Sequence, residues 1–347
     1  MVQTSNKSKS SSKSKAFLGL GKPKSKSLKS GRPPLLSSST STTTTSHPSI
    51  SSKHTRTLIR THHVLQKRLA AARLTNDTSL INELDSQLSA TGGLESYQLA
   101  STVGQSATRG GDSSRVLVHW LRSEIDARKT STSSSSSTNT ANAPVTPLRI
   151  LEVGALSTTN ALNIPDVTTV RRIDLRSSGP GIEEADFMAF AVPDDPNGKG
   201  IWQGRRGYDV LSLSLVLNYV PDACGRGAML KRTTAFFSQS HPDVPATMDG
   251  STQPMQLLPC LFLVLPAPTL HNSRYLTPEH LILIMGSLGY THLHTKTTRK
   301  LHYSLWRYDL DKRANWLKSG GQIVFAKKEI NPGGGRNNFC IILDEES

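Results

Sequence analysis

The alternation of apolar and polar positions changes character along this chain of 347 residues. Residues 1 to 52 have no period. Ser, Thr and Lys dominate there, and too little apolar surface is present to offset the entropy of ordering, so this segment reads as a disordered arm. From Arg56 to Leu74 apolar residues recur at helical spacing, at Leu58, Leu65 and Leu69 and near neighbours, with no Gly or Pro. That predicts a basic amphipathic helix. Thr75–Asn76–Asp77 breaks it, and Ser79 to Leu88 predicts a shorter second helix. A polar, glycine-rich stretch begins at Gly92. A further helix is expected over Ser113 to Ile125, with Asp112 or Ser113 as N-cap and Val116, Leu117, Trp120 and Leu121 as its apolar side. The divisions are then a basic arm at 1–52, a helical N-terminal extension at 53–126, a Ser/Thr-rich exposed loop at 127–144, and a body at 145–347.

In the body the period shifts to short apolar runs. Strands are predicted at 148–153, 169–175, 208–217, 258–265, 322–326 and 338–343, with helices most clearly at 225–237 and 277–288. Strands alternating with helices indicate an α/β fold with a largely parallel sheet covered on both faces. The near-continuous apolar run Tyr208 to Leu217 suits a central buried strand. The last two runs flank a Gly-rich turn and suggest an antiparallel hairpin that closes the sheet.

Composition narrows the possibilities. Hydrophobic residues make up 35% of the chain, low enough to imply that part of it does not pack. Cys224, Cys260 and Cys340 form no CxxC pair, which argues against structural zinc and against a disulfide framework. The longest apolar run, Leu257 to Leu265, is interrupted by Pro259 and is too short to cross a membrane. The N-terminus lacks the apolar core of a secretory signal.

The net charge of +15 is unevenly placed. Fifteen of the 41 Lys and Arg residues precede the first acid, Asp77, which leaves 26 basic residues against all 26 acidic ones. A basic arm on a formally neutral body suggests a tether for nucleic acid or a nuclear import signal. A Ser-rich mitochondrial transit peptide is the competing reading. The Lys-Ser alternation, with no amphipathic Arg helix, favours the nucleus.

The candidate chemistry lies at the carboxyl ends of the predicted strands, where open α/β sheets bind ligands. These ends carry Glu152 and Gly154, then Asp174, then Asp186, then Asn218–Tyr219–Val220–Pro221. A glycine directly after the first strand lets backbone approach a ligand closely. Asp174 follows about 20 residues later, the spacing at which a nucleotide-binding unit sets an acid on ribose hydroxyls. Asp186 and Phe187 would hold an adenine by its amino group and ring face. Helix capping is the plainer role for any one such acid, and their register favours a nucleoside-containing cofactor. Gly154–Ala155–Leu156–Ser157 is not GxGxxG, which weakens a dinucleotide; a pyrophosphate-free nucleoside such as S-adenosylmethionine needs less of that cradle. No GKS/T loop, HExxH or GxSxG occurs. Asn218 offers an amide to a base edge and Tyr219 a ring on which a base can stack; a turn with a half-buried tyrosine explains them equally well. The polar series Tyr97, Gln98, Ser101, Gln105 and Arg109 is left open for a ligand role.

Several of these segments resemble one family. LEVGALSTTN, RRIDLRSS, ADFM, LSLVLNYVPD, RGAML, LFLVLPAP, NSRY and SLGY, with YQLASTVGQ and RGGDSSRVLVHWL upstream, are similar to the fungal 25S ribosomal RNA adenine-N(1) methyltransferases of the BMT2 type. The likeness is collinear from roughly residue 56 to 345 and omits the arm. It implies a seven-strand class I methyltransferase (Rossmann-like) sheet, S-adenosylmethionine as donor, one adenine of large-subunit ribosomal RNA or its pre-60S particle as target, and the nucleolus. It assigns the cofactor positions to Gly154 and Asp174. Beside it, the reading of the strand ends expects Glu152 and Asp186 to support the cofactor, and Asn218 and Tyr219 to position the base. A monomer without metal or membrane attachment is expected. An inactive methyltransferase-like assembly factor is the alternative, and a protein methyltransferase a weaker third.

Overall fold

The computed structural model describes residues 52–96, 99–100, 111–133, 146–193, 207–237 and 256–344. Residues 1–51 of the arm, the five polar residues Tyr97, Gln98, Ser101, Gln105 and Arg109, and residues 134–145 of the Ser/Thr run lie outside these residues. The described residues all fall within one compact unit, Ser49–Ser347.

Helices α1 (Ser52–Leu74) and α2 (Thr78–Ala90) form an N-terminal hairpin. Asn76 takes a left-handed φ of 51° at the turn, and Asp77 Oδ1 caps α2 by accepting from Leu80 N at 3.0 Å. Leu65, Leu69 and Ala72 of α1 pack on Leu84 and Leu88 of α2, giving the pair its own small core. Helices α3 (Ser114–Trp120) and α4 (Arg122–Ser133) follow. Their break at Leu121 divides what was read as one helix, and α4 runs on into the stretch read as a loop from residue 127. Asp112 caps α3 through Oδ1, which accepts from Ser114 N at 2.9 Å.

The body is a seven-stranded sheet in the order β3-β2-β1-β4-β5-β7-β6. Its strands are β1 (Leu148–Val153), β2 (Thr168–Asp174), β3 (Glu183–Glu184), β4 (Val210–Ser214), β5 (Cys260–Pro266), β6 (Tyr290–Thr297) and β7 (Leu301–Tyr308). The first five are parallel. Strand β7 enters antiparallel between β5 and β6. The strand periodicity of two shows directly in the packing. Leu261, Leu263 and Leu265 of β5 belong to one core, while Cys260, Phe262 and Val264 belong to the core on the other face. Sheet burial on both sides is what makes β5 apolar throughout. Helices α5 (Ala223–Thr233) and α7 (Pro278–Ser287) contribute to the first core, and Leu117, Leu121 and Ile125 of α3 and α4 cover the second. A short α6 (Pro268–His271) follows β5, and α8 (Leu310–Lys318) follows β7.

Two expectations are corrected. The antiparallel hairpin that closes the sheet is β6–β7, not the chain end. Residues 322–326 and 338–343 form no strands; Phe325 and Leu343 meet in one isolated bridge. Their apolar side chains Phe325, Phe339, Ile341 and Leu343 are buried in the first core beside α5. Gly227 of α5 makes that approach possible, because a Cβ there would collide with the Ile342 carbonyl.

Candidate functional site

Strand β1 pairs with β2 on one side and β4 on the other, so the connections run outward in opposite directions from it. This is the switch point at which open α/β sheets bind ligands. A cleft of about 460 Å³ opens there, within the usual range for a small-molecule site. Gly154, Asp174, Asp186, Leu215, Val216 and Tyr219 are among its lining residues.

The turn after β1 is held by Ile173 O, which accepts from Gly154 N at 2.8 Å and Ala155 N at 3.1 Å. Gly154 sits at φ 74°, and a Cβ there would lie 2.6 Å from Val216 Cγ2. A side chain is thus excluded both by the backbone angle and by the facing strand end. Asp174 closes β2. Its Oδ1 accepts from Arg176 N at 3.0 Å, which orients the carboxylate at the cleft. Asp186 makes a similar turn, accepting from Met188 N at 2.8 Å. After β4, Leu215 adopts a left-handed φ of 60°. Such strain in a non-glycine residue costs about 1–3 kcal/mol and is typical of residues lining a site.

The connection from Gly154 to Val167 contains no helix. A pyrophosphate-binding fold places a helix N-terminus after this glycine. Here the loop is tied instead to α3, through Asp112 Oδ2, which accepts from Ala161 N at 2.8 Å.

One wall of the cleft comes from α1 and α2: His62, His63, Gln66 and Leu88 line it. The His63 ring stacks on Tyr219, with centroids 4.5 Å apart and planes 9° apart. That spacing leaves no gap for a third ring between them. Burial, with the charges of His62 and Lys67, pushes the His63 pKa down to about 4. Burial also lowers that of His62. Both imidazoles are therefore neutral near pH 7.

The turn bearing Tyr219 is fixed from below. Arg226 of α5 is buried. Its Nε donates to Val220 O at 3.0 Å, one terminal nitrogen to Pro221 O at 3.0 Å, and the other to Cys340 O at 2.6 Å. The guanidinium also lies 4.5 Å from the Phe339 ring centroid.

The cleft brings together four of the six residues singled out from the sequence: Gly154, Asp174, Asp186 and Tyr219. It does not include Glu152 or Asn218 among its lining. Glu152 accepts from Asn160 Nδ2 at 2.6 Å and pairs with Arg172 Nε at 3.2 Å. Burial raises its pKa against those two partners. Its position suits a support of β1 and its following loop. Asn218 Oδ1 is buried and has no hydrogen-bond partner among the described residues. Sequence reasoning left the basic face of α1 to solvent, to packing on the body or to RNA contact, and missed that its His62, His63 and Gln66 wall the cleft. The His-His doublet in a helix without acids is the one local signal that marks them.

A close-approach glycine, an acid on the neighbouring strand end and a mostly apolar cleft fit a nucleoside without a pyrophosphate. This combination on a seven-stranded sheet with an antiparallel β7 defines a class I methyltransferase fold. A family model described as 25S rRNA (adenine(2142)-N(1))-methyltransferase, Bmt2, matches residues 82–341. The chain is 32% identical over 280 residues to the 25S rRNA adenine-N(1) methyltransferase of Schizosaccharomyces pombe, covering 81% of this chain and 87% of that protein. It is 31% identical over 287 residues to the 25S rRNA (adenine(2142)-N(1))-methyltransferase of Saccharomyces cerevisiae, covering 81% and 70%. The chain belongs to the Bmt2 family of 25S rRNA adenine-N(1) methyltransferases.

Proposed function

We propose that this chain methylates N(1) of one adenine in large-subunit ribosomal RNA, with S-adenosylmethionine as donor. The observation that carries the reading is the meeting of Gly154, Asp174 and Tyr219 in one cleft at the switch point. Membership in a family of named methyltransferases favours the enzyme over an inactive assembly factor. The donor supplies an electrophilic methyl group on a sulfonium. Gly154 offers bare backbone to it, and Asp174 accepts from ribose hydroxyls. Asp186 borders the same cleft and is assigned to the adenine end.

N(1) of adenine carries its own lone pair, so no proton has to leave before attack and no strong base is required. The protein's task is to orient the base and exclude water, which can supply several kcal/mol. Pairing blocks N(1), so the target adenine enters unpaired or flipped out. Tyr219 presents one ring face to His63; the base is assigned to its other side, where a π face also suits a ring that becomes cationic. Asn218 is assigned a role beneath the turn. Its buried Oδ1 would reach a base edge only if the turn rearranged.

The setting proposed is a pre-60S particle in the nucleolus, with the protein acting as a monomer and the acid-free arm giving nuclear import and loose RNA attraction. Among the described residues no helix is long and apolar enough to cross a membrane, and no cluster of metal-ligating side chains occurs.

Calorimetry with S-adenosylmethionine, alongside methyl-transfer assays, tests the division of labour. Asp174→Ala should weaken donor binding about tenfold or more, the loss of charge-assisted hydrogen bonds. Tyr219→Ala should cut methyl transfer by about tenfold or more through lost stacking, while donor affinity holds. Equal loss of donor affinity in both variants would refute the assignment.

A further inference from the structure

We propose that α1 is the RNA-docking element of this protein, holding the backbone of the strand whose base enters the cleft. The proposal rests on the methyltransferase reading above and deepens it. Helix α1 contains six Lys or Arg residues and no acid. Three of them, Lys53, Arg60 and Lys67, recur every seven residues. Seven residues are two helical turns, so these cations form one row with steps of about 10 Å. All three are exposed, and none forms an ion pair with a described acid.

The row lies between the two working faces of α1 and the solvent. Leu65, Leu69 and Ala72 face α2. His62, His63 and Gln66 face the cleft. His63 follows Arg60 by three residues and precedes Lys67 by four, so it neighbours both on the helix surface. The cationic row therefore lies on the face of α1 turned away from α2, beside the edge that carries His63 to the cleft.

At the site end the positive charge is concentrated. The charge of Arg226 lowers the Lys67 pKa, second to Lys67's own partial burial. Arg226 spends its donors on the carbonyls of Val220, Pro221 and Cys340. The acid beside it, Asp222, caps α5, where its Oδ1 accepts from Gly225 N at 2.6 Å, and its charge partly offsets that of Arg226. Lys67 thus stands at the site end of the row, within the field of the buried Arg226 beneath the Tyr219 turn, and an anion beside Lys67 would favour its charge. Charge complementarity names the occupant: the phosphates of the nucleotide that delivers its base to the adjoining cleft, and of its neighbours. An acidic protein segment would satisfy the row but would have no reason to sit beside a base-sized cleft. Helix α1 also precedes residues 82–341, the span matched by the family model.

The test uses the full chain and its triple variant K53Q/R60Q/K67Q, with large-subunit ribosomal RNA from cells lacking this protein as probe. Binding is measured across a salt series, methyl transfer at saturating donor, and donor affinity by calorimetry. Each single-strand phosphate contact contributes about 0.7 to the logarithmic salt slope. The variant should therefore show a slope shallower by about 2. Its KM for RNA should rise about tenfold or more, with kcat and donor affinity held. An unchanged slope and KM would overturn the proposal and leave the methyltransferase reading intact; a wild-type chain that transfers no methyl group would overturn that reading itself. Ultraviolet cross-linking of the wild-type chain to the same RNA keeps the proposal falsifiable should the variant misfold. Cross-linked nucleotides on peptides within residues 53–73 support it. Cross-links confined to other segments, or attachment of these peptides only to protein in isolated pre-ribosomal particles, contradict it.

Discussion

His63 joins the two halves of the site. Its ring covers one face of Tyr219, and burial keeps it neutral down to about pH 4. A neutral imidazole adds no positive charge beside a sulfonium donor or beside an adenine that becomes cationic. The same burial has a cost in acid. The folded state holds His63 below its ordinary pKa of 6.5, so between pH 6.5 and 4 the unfolded chain binds more protons. Stability from this group is complete above about 6.5 and falls as pH drops toward 4. Lys67 does not change charge in that window. His302, also pushed down to about 4 by burial and by His271 and His292, and His62, His280 and His292, lowered chiefly by burial, add to the same trend. His63→Phe keeps a flat ring on Tyr219 and removes one titration. Thermal melts at pH 7 and pH 5 should show a smaller drop for this variant than for wild type; equal drops would show that His63 is not the buried neutral group described. The placement of Gly154 and Asp174 at the cleft was legible because it is local, set by strand ends about 20 residues apart in one unit. The stacking of His63 on Tyr219 was not, because helical periodicity says which side of α1 is apolar and nothing about which distant turn it will meet.

Among the elements, the turn at 217–221 depends on α5. Arg226 is buried with donors on three carbonyls, two of them in that turn. Arg226→Gln leaves most of those carbonyls unsatisfied, and a lost charged hydrogen bond costs about 1.5–3 kcal/mol. Urea unfolding of this variant should show stability lower by about 2 kcal/mol or more, with methyl transfer falling more than donor affinity. A change in stability within about 0.5 kcal/mol would mean that the turn is held by something else. The strands show where a hydrophobic pattern misleads. Residues 322–326 and 338–343 read as strands because Phe325, Phe339, Ile341 and Leu343 alternate into the core. Alternation reports which side chains of an extended segment are buried, not whether its backbone joins a sheet. Strand β6 went unread for the opposite reason. Its His, Thr and Lys side chains are half-buried or exposed on an edge strand, so no apolar run marks it.

At the scale of the whole molecule, the parallel sheet and its ligand-binding edge were readable from four apolar runs. Strand order and the antiparallel β7 were not, since pairing is decided by contacts between segments far apart in sequence. Charge is divided along the chain. The segment before Asp77 carries the whole formal excess, and the remainder balances 26 basic residues against 26 acidic ones. We propose that attraction to RNA belongs to the N-terminal quarter, while the cleft lies at the sheet. The central claim is that this chain places a methyl group on N(1) of one ribosomal adenine. Primer extension on large-subunit ribosomal RNA tests it most directly, because a group on the pairing edge stops reverse transcriptase. RNA from cells with the wild-type chain should give a stop at one adenine that disappears when the chain is deleted or carries Asp174→Ala. A stop that persists in the deletion strain would contradict the account.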